Sequence, residues 1–121
     1  MNRHEKIDYV ELAAEDLEAT KAFFAAAFGW RFTDYGDDYA DSPDGGIMTG
    51  FFRAPLKSSP ATGGALITFY SEDLEATQAK VEAAGGEIVK PIFGFPGGRR
   101  FQFLEPSGNE FAVWSDQGLE P

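Results

Sequence analysis

Cysteine is absent from this sequence of 121 residues, and histidine occurs only once, at His4. Without cysteine the chain has no disulfide bond, no thiol nucleophile and no thiolate metal site. A single histidine also excludes centres built from several imidazoles. The sequence contains no nucleophile elbow, no phosphate-binding glycine loop and no set of residues typical of a Ser-His-Asp triad. The common nitrogen, sulfur and nucleophile chemistries are therefore not supported.

Long apolar segments are missing as well. No run approaches the roughly 20 residues needed to cross a bilayer, and residues 1–6 carry no apolar signal region. We therefore expect a cytoplasmic protein that does not enter membranes. The hydrophobic share of 43% and the 12 phenylalanines suit the packed core of a single domain, residues 1–121.

Basic residues are scarce, since 10 Lys and Arg stand against 20 Asp and Glu and give a net charge of −10. Such a charge repels phosphate backbones, so we expect no nucleic-acid partner. It attracts cationic small molecules, although acidity also serves solubility alone.

One stretch occurs twice. The hexapeptide EDLEAT at residues 15–20 returns at residues 72–77, and 10 of the 15 positions from 15 to 29 are identical to those 57 residues later. Two copies are too few for a solenoid. The repeat indicates a small module that was duplicated and fused.

Each copy predicts a helix that begins after an aspartate and ends at glycine. Asp16 and Asp73 are suited to cap the N-terminus, because a carboxylate accepts free amide protons of the first turn. Gly29 and the Gly85-Gly86 pair mark the ends, where a positive φ is common. The repeated hexapeptide is thus explained as a helix start and not as a site.

Alternating segments around these helices predict strands, so that each copy has the order β-α-β-β-β. Module one spans about 5–53, a linker rich in Pro, Ser and Gly about 53–64, and module two about 64–116. Residues 91–98, which include Phe93 and Phe95, are expected to form an aromatic loop. The predicted strands are 7–12, 30–33, 39–40, 47–52, 65–70, 87–90, 99–104 and 110–115.

Two βαβββ modules, with residues 106–110 (PSGNE) leading into the last strand, resemble the vicinal oxygen chelate superfamily. It includes glyoxalase I, the bleomycin resistance proteins, the fosfomycin resistance enzymes and the extradiol dioxygenases. Residues 28–30 (FGW), 97–101 (GGRRF) and 109–114 are similar to its glyoxalase-like members of largely unassigned function. The resemblance implies an α+β fold, in which two tandem modules form a curved mixed β-sheet cup within one chain or across a dimer.

The resemblance also implies where a divalent metal would sit, with ligands that are typically a His on the first strand of a module and a Glu on the last. The corresponding positions here are Tyr9, Leu66 and Ala112, and Gln102 stands where related sequences often carry a His. Tyrosine is a weak ligand, while leucine and alanine have no donor atom. We therefore expect no metal and no other cofactor.

Strand alternation places further side chains on the face of these positions. The implied pocket is apolar and aromatic with few polar groups, which suits a small organic ligand. The alternative is that the same side chains pack the cup shut. The candidate ligand-binding residues are Tyr9, Glu11, Leu66, Thr68, Gln102, Ala112 and Trp114.

Three functions are compatible with this pattern. The first is a metal-independent small-molecule binding protein of the bleomycin-resistance type. The second is a glyoxalase-like lyase or isomerase, either with an all-oxygen metal site from Tyr9, Glu11 and Glu110 or with Glu11 as a general base. The third is a structural module with a closed cup. In each case we expect a homodimer, because sheets with free edges gain from pairing.

Overall fold

In the computed structural model, which describes residues 2–118, eight strands form two four-stranded sheets, and each half of the chain contributes one helix. A short 3-10 turn, Pro60–Thr62, lies in the linker. The elements in chain order are β1 (Tyr9–Ala14), α1 (Leu17–Phe28), β2 (Thr33–Asp34), β3 (Tyr39–Ser42), β4 (Met48–Arg53), β5 (Ile67–Tyr70), α2 (Leu74–Ala83), β6 (Glu87–Phe95), β7 (Gly98–Leu104) and β8 (Glu110–Ser115).

The two sheets have the same topology. The first has the order β1-β4-β3-β2 and the second the order β5-β8-β7-β6. In each sheet the first strand of the module runs parallel to its last strand, and the other neighbours are antiparallel. This repetition confirms the predicted α+β fold of two tandem βαβββ modules. It also leaves β1 and β5 with one free edge each.

Both helices begin as the repeat predicts. The Asp16 carboxylate accepts a hydrogen bond from the amide of Ala19 at 3.1 Å, and the Asp73 carboxylate accepts one from the amide of Ala76 at 3.1 Å. Helix α1 ends at Gly29, which has a φ of 72°. Neither helix is long and apolar enough to span a bilayer, for the residues that the structure describes.

Helix α1 connects the two sheets through its phenylalanines. The ring of Phe24 lies 5.5 Å from Phe51 of the first sheet and 5.4 Å from Phe111 of the second, while Phe23 lies 5.7 Å from Phe103. All five rings are buried. Burial of each such side chain stabilises the fold by about 1.5–3 kcal/mol. One face of each sheet is thus committed to the core, and we call the opposite face the helix-free face.

The prediction of an aromatic loop at residues 91–98 is wrong. Strand β6 continues to Phe95, and only Pro96 and Gly97 turn the chain into β7. Pro91 lies within β6, inside the register shift between Lys90 and Phe93. Because β6 is an edge strand, a proline without an amide proton is tolerated there.

The strand predicted for residues 30–33 is also wrong over most of its length, since β2 contains only Thr33 and Asp34. Trp30 instead packs into the core, where its ring stacks on Phe24 at 4.6 Å. Arg31 is held by Asp44, whose carboxylate accepts from the Arg31 amide at 2.8 Å and from its guanidinium at 3.1 Å. Core packing therefore overrides the local strand preference. Apart from β6, which continues five residues past its predicted end at residue 90, the other predicted strands agree with the structure to within two residues at each end.

Candidate functional site

The helix-free face of the first sheet has a row of small and acidic residues. Strand register places Glu11 of β1, Gly50 of β4 and Asp41 of β3 side by side. Tyr9 and Tyr39 project from the same face, because each lies two residues from a member of this row. The first sheet thus gathers two phenols and two carboxylates from strands distant in sequence.

These four side chains form a hydrogen-bonded group, the tyrosine–carboxylate cluster of Tyr9, Tyr39, Glu11 and Asp41. The Tyr39 hydroxyl donates to Glu11 Oε1 at 3.0 Å, and the Tyr9 hydroxyl donates to Asp41 Oδ2 at 3.1 Å. The two hydroxyls also contact each other. Gly50 lies directly beneath them, and a Cβ atom there would collide with both. The cluster therefore depends on a glycine in the middle strand.

Both phenols of the cluster hold their protons firmly. Burial raises the pKa of Tyr39 above its ordinary value of 10.0, and the hydrogen bonds to Tyr9 and Glu11 raise this pKa further. Burial also raises the pKa of Tyr9; its hydrogen bond with Tyr39 opposes this rise and that with Asp41 adds to it. Near neutral pH both residues are therefore neutral hydrogen-bond donors.

The helix-free face of the second sheet has two rows that cross all four strands. One row joins Tyr70, Trp114, Arg100 and Phe93 on β5, β8, β7 and β6. The neighbouring row joins Thr68, Ala112, Gln102 and Lys90 in the same strand order. The first row is aromatic with one cation, and the second is small and polar.

Part of the second row is buried and therefore not accessible to a ligand. Gln102 is 2% exposed and Ala112 is fully buried. Gln102 Nε2 donates to a carboxylate oxygen of Glu110 at 2.6 Å, while its Oε1 is buried without a partner among the described residues. Leu66 precedes β5 and is half-buried, and Thr68 is exposed. The accessible groups of this face are therefore Thr68 and the aromatic row.

The candidate residues thus fall into two groups, one on each sheet. Tyr9 and Glu11 belong to the tyrosine–carboxylate cluster, together with Tyr39 and Asp41. Thr68, Gln102, Ala112 and Trp114 lie on the second sheet. Within residues 2–118, no hydrogen bond, ion pair or ring contact joins the two groups. Glu110 pairs with Gln102 and does not meet Tyr9 or Glu11.

A cleft of about 310 Å³ is lined by residues of β1, β4, β5 and β8 and of the segments that follow α1 and β3. Its walls are mostly apolar, and Trp30 and Phe111 connect it to the core. The lining residues are Val10, Trp30, Gly45, Ile47, Thr49, Ile67, Thr68, Phe69, Tyr70 and Phe111. This volume is at the lower end of the range typical of ligand pockets.

The residues at the inherited metal positions do not fit a metal. The Tyr9 hydroxyl is engaged with Asp41 and Tyr39, while Leu66 and Ala112 have no donor atom. Nor do any three His, Cys, Asp or Glu side chains converge as metal ligands would in the part of the chain that the structure describes. We therefore derive no catalytic step through a metal.

Comparison with known proteins agrees with this topology. The family described as the Glyoxalase/Bleomycin resistance protein/Dioxygenase superfamily matches residues 6–113. The chain belongs to this superfamily. Among solved structures, a glyoxalase-related enzyme from Fulvimarina pelagi has a TM-score of 0.77 at 16% identity, and the match covers 92% of this chain and 88% of that one. At such low identity the likeness shows the fold alone.

Curated relatives of this chain include proteins with functional names. The chain is 30% identical over 130 residues to the anthracycline biosynthesis protein DnrV of Streptomyces peucetius, with 93% of this chain and 47% of that protein covered. It is 27% identical over 116 residues to the putative glyoxylase CFP32 of Mycobacterium tuberculosis, with 88% and 44% covered. The chain therefore spans about half the length of both relatives.

Four residues of the two faces are missing from the sequence-based candidates. Tyr39 and Asp41 lie on a strand that was predicted for only two residues, and the alternation from 39 to 41 was the one available signal. Arg100 shares a face with Gln102 by alternation, but its neighbour Phe93 was assigned to a loop. The pairing of β6 with β7 is what brings them together.

Proposed function

We propose that this chain is a metal-independent protein that binds a small organic molecule on the helix-free faces of its sheets and works as a homodimer. The observation that carries this proposal is that the residues at the metal positions of the superfamily cannot bind a metal here. Tyr9 has entered a hydrogen-bonded cluster, and Leu66 and Ala112 cannot ligate. The same faces present phenols, carboxylates and aromatic rings, a composition typical of ligand sites.

The tyrosine–carboxylate cluster supports a ligand with a hydrogen-bond donor. Its two phenol protons serve three contacts: Tyr39 to Glu11, Tyr9 to Asp41, and hydroxyl to hydroxyl. One contact therefore lacks a proton. Asp41 is only 7% exposed and has no ion-pair partner among the described residues. An ammonium or amide N–H group of a ligand can donate the missing hydrogen bond, and an ammonium also provides a counter-ion for Asp41.

The aromatic row of the second sheet supports a planar ligand. Trp114 is half-buried, so one part of its ring is available for stacking. The name of the relative DnrV is consistent with this reading, since anthracyclines are polycyclic aromatic compounds.

Thermal shift and tryptophan fluorescence test this proposal. We expect members of a panel of planar and cationic aromatic compounds to raise the melting temperature and to quench Trp114. The variant Trp114→Phe should lose the quenching that arises from Trp114. No stabilisation by any compound would exclude a binding function, and stoichiometric Zn, Ni, Mn or Fe in protein purified without chelators would exclude metal independence.

A catalytic role for Glu11 is the second candidate. The observation in its favour is the hydrogen bond at 3.0 Å through which Tyr39 orients the exposed Glu11 carboxylate. A general base also needs a substrate proton within hydrogen-bond reach. If the protein is a lyase or isomerase, Glu11→Gln should lower turnover by a much larger factor than it lowers ligand affinity. Equal affinity and no turnover in either protein favours the binding function.

A further inference from the structure

The second sheet holds an arginine that is fixed in place but not paired. Arg100 lies in the centre of the aromatic row, beside Trp114 on β8 and Phe93 on β6. Its guanidinium carbon is 5.2 Å from the centroid of the Phe93 ring and 5.8 Å from that of Phe95. Cation–π attraction to two rings restricts the side chain. The cation is therefore positioned before any ligand arrives.

Arg100 has no acceptor among residues 2–118. No carboxylate or carbonyl oxygen of these residues bonds its guanidinium, and its Nε atom is buried without a partner. By contrast, Arg31 pairs with Asp44 and Arg53 pairs with Asp38. The chain has 20 acidic residues, twice the number of basic ones. A half-buried arginine that remains unpaired in such a chain has its fork of donors free for another anion.

Aromatic rings continue the surface on the side of Arg100 away from Phe93. Trp114 is the next residue in the row, and its ring packs edge-to-face on Tyr70 at 5.2 Å and lies 6.4 Å from Phe95. Gly98 permits this approach, because a Cβ atom there would lie only 3.1 Å from Trp114 and 3.2 Å from Phe95. The result is a ring surface directly beside a guanidinium.

We propose that Arg100 is the anion-binding group of a subsite for an aromatic carboxylate, whose ring lies on Trp114. A guanidinium binds a carboxylate through two parallel N–H···O bonds, which matches its planar fork better than a point charge would. The ring of such a ligand replaces water on an aromatic surface that is already assembled. This inference rests on the proposed binding function, to which it adds a charge and an orientation for the ligand.

Binding of 2-naphthoate and its neutral analogue 2-naphthamide tests the subsite, measured by quenching of tryptophan fluorescence and by calorimetry. We expect Arg100→Gln to weaken 2-naphthoate binding by about tenfold or more and to change 2-naphthamide binding by less than about twofold. Lys90→Gln is the matched control, since it removes the same charge from the adjacent edge strand. It should change either affinity by less than about twofold, because Lys90 is exposed.

Arg100→Lys gives a second variant for the case in which Arg100→Gln does not fold. It keeps the charge and the contact with Phe93 but loses the two-pronged donor, so 2-naphthoate binding should still weaken. The inference is overturned if Arg100 variants weaken both compounds equally or neither. It is also overturned if wild-type protein binds 2-naphthamide but not 2-naphthoate, an outcome that leaves the binding function intact. Failure of both compounds and of the wider thermal-shift panel overturns both proposals.

Discussion

Two phenol hydroxyls set the chemistry of the first sheet's helix-free face. Tyr9 and Tyr39 come from strands that do not pair with each other, and they meet above the intervening strand β4. Each also donates to one carboxylate. Ionisation of either phenol would place a third negative charge beside Glu11 and Asp41. The folded state therefore favours the protonated phenols.

This preference predicts a loss of stability at alkaline pH. The pKa values of Tyr9 and Tyr39 are raised by folding, so their contribution to the free energy of unfolding is complete below about pH 10, their unfolded pKa. It is lost as the pH rises through the folded pKa. We expect the double variant Tyr9→Phe/Tyr39→Phe to show a shallower alkaline fall in urea-unfolding free energy than wild type. Tyr35→Phe is the control, and identical slopes in all three proteins would contradict the prediction.

A second prediction concerns the glycine beneath the two hydroxyls. We expect Gly50→Ala to lower the free energy of unfolding by about 1–3 kcal/mol, because the new methyl group collides with both phenols inside a packed sheet. Gly94→Ala is the control, since its Cβ atom would meet nothing closer than 4.0 Å. Chemical denaturation measures both. Equal costs for the two substitutions would show that the phenols move aside freely.

Among the elements, the two helices begin alike, and a serine hydroxyl from module two supports each helix start. In module two, Ser71 Oγ accepts from the amide of Asp73 at 3.0 Å and bonds Thr77 at 2.7 Å. In module one the position 57 residues earlier is Ala14, which has no hydroxyl. Ser107 replaces it from the turn before β8: its Oγ accepts from the amide of Asp16 at 3.0 Å and bonds Thr20 at 2.7 Å.

The turn that carries Ser107 is itself held by a buried carboxylate. Glu105, only 2% exposed, accepts from Thr20 Oγ1 at 2.5 Å, from the amide of Ser107 at 2.9 Å and from the amide of Asn109 at 3.0 Å. The Asn109 side chain then donates to the Ala13 carbonyl at 2.8 Å. Module two therefore completes the helix start of module one, and this network joins the two halves of the chain.

A double-mutant cycle tests this exchange. We expect Ser107→Ala to cost about 1–2 kcal/mol of unfolding free energy, because it leaves buried partners unsatisfied. Ala14→Ser should recover part of that loss in the Ser107→Ala background, since it restores the hydroxyl that module two carries at Ser71. In wild type the same substitution should not stabilise. If Ala14→Ser has the same effect in both backgrounds, the two hydroxyls are not equivalent.

Dimer formation is favoured by the free sheet edges and opposed by the net charge of the chain. Strands β1 and β5 have unpaired edges, and Ile7, Tyr9, Ile47 and Tyr70 are exposed near them. Pairing edges or covering these side chains with a second copy stabilises a dimer. The net charge of −10 on each chain opposes it.

We therefore predict a homodimer that tightens as salt is added. Raising the ionic strength from about 0.01 M to about 0.15 M shortens the screening length from about 30 Å to about 8 Å, which weakens repulsion between the two chains but leaves apolar contacts intact. Sedimentation at these two salt concentrations measures the oligomeric state and so tests both the dimer and its salt dependence. A monomer at micromolar concentration in the higher salt would refute the dimer, whereas a dimer that weakens with salt would refute only the electrostatic argument.

Features that depend on neighbours along the chain could be predicted from the sequence. The helix starts at Asp16 and Asp73 and the helix end at Gly29 follow from bonds between residues three to five positions apart. Strand alternation placed Tyr9 with Glu11, and Trp114 with Ala112, because the side-chain period of a strand is two. Duplication of the module was visible as identity at a fixed offset, and with it the shared β-α-β-β-β order of the two copies.

The tertiary structure decided which of these local faces meet. Tyr39 and Asp41 reach Tyr9 only through pairing of β3 with β4 and of β4 with β1. Phe93 and Phe95 flank Arg100 only because β6 extends past Pro91 along β7. Ser107 serves Asp16 across 91 residues. Register and packing between distant segments depend on the burial of the whole core. The residues next to Tyr39, Phe93 and Ser107 in the sequence therefore do not reveal these contacts.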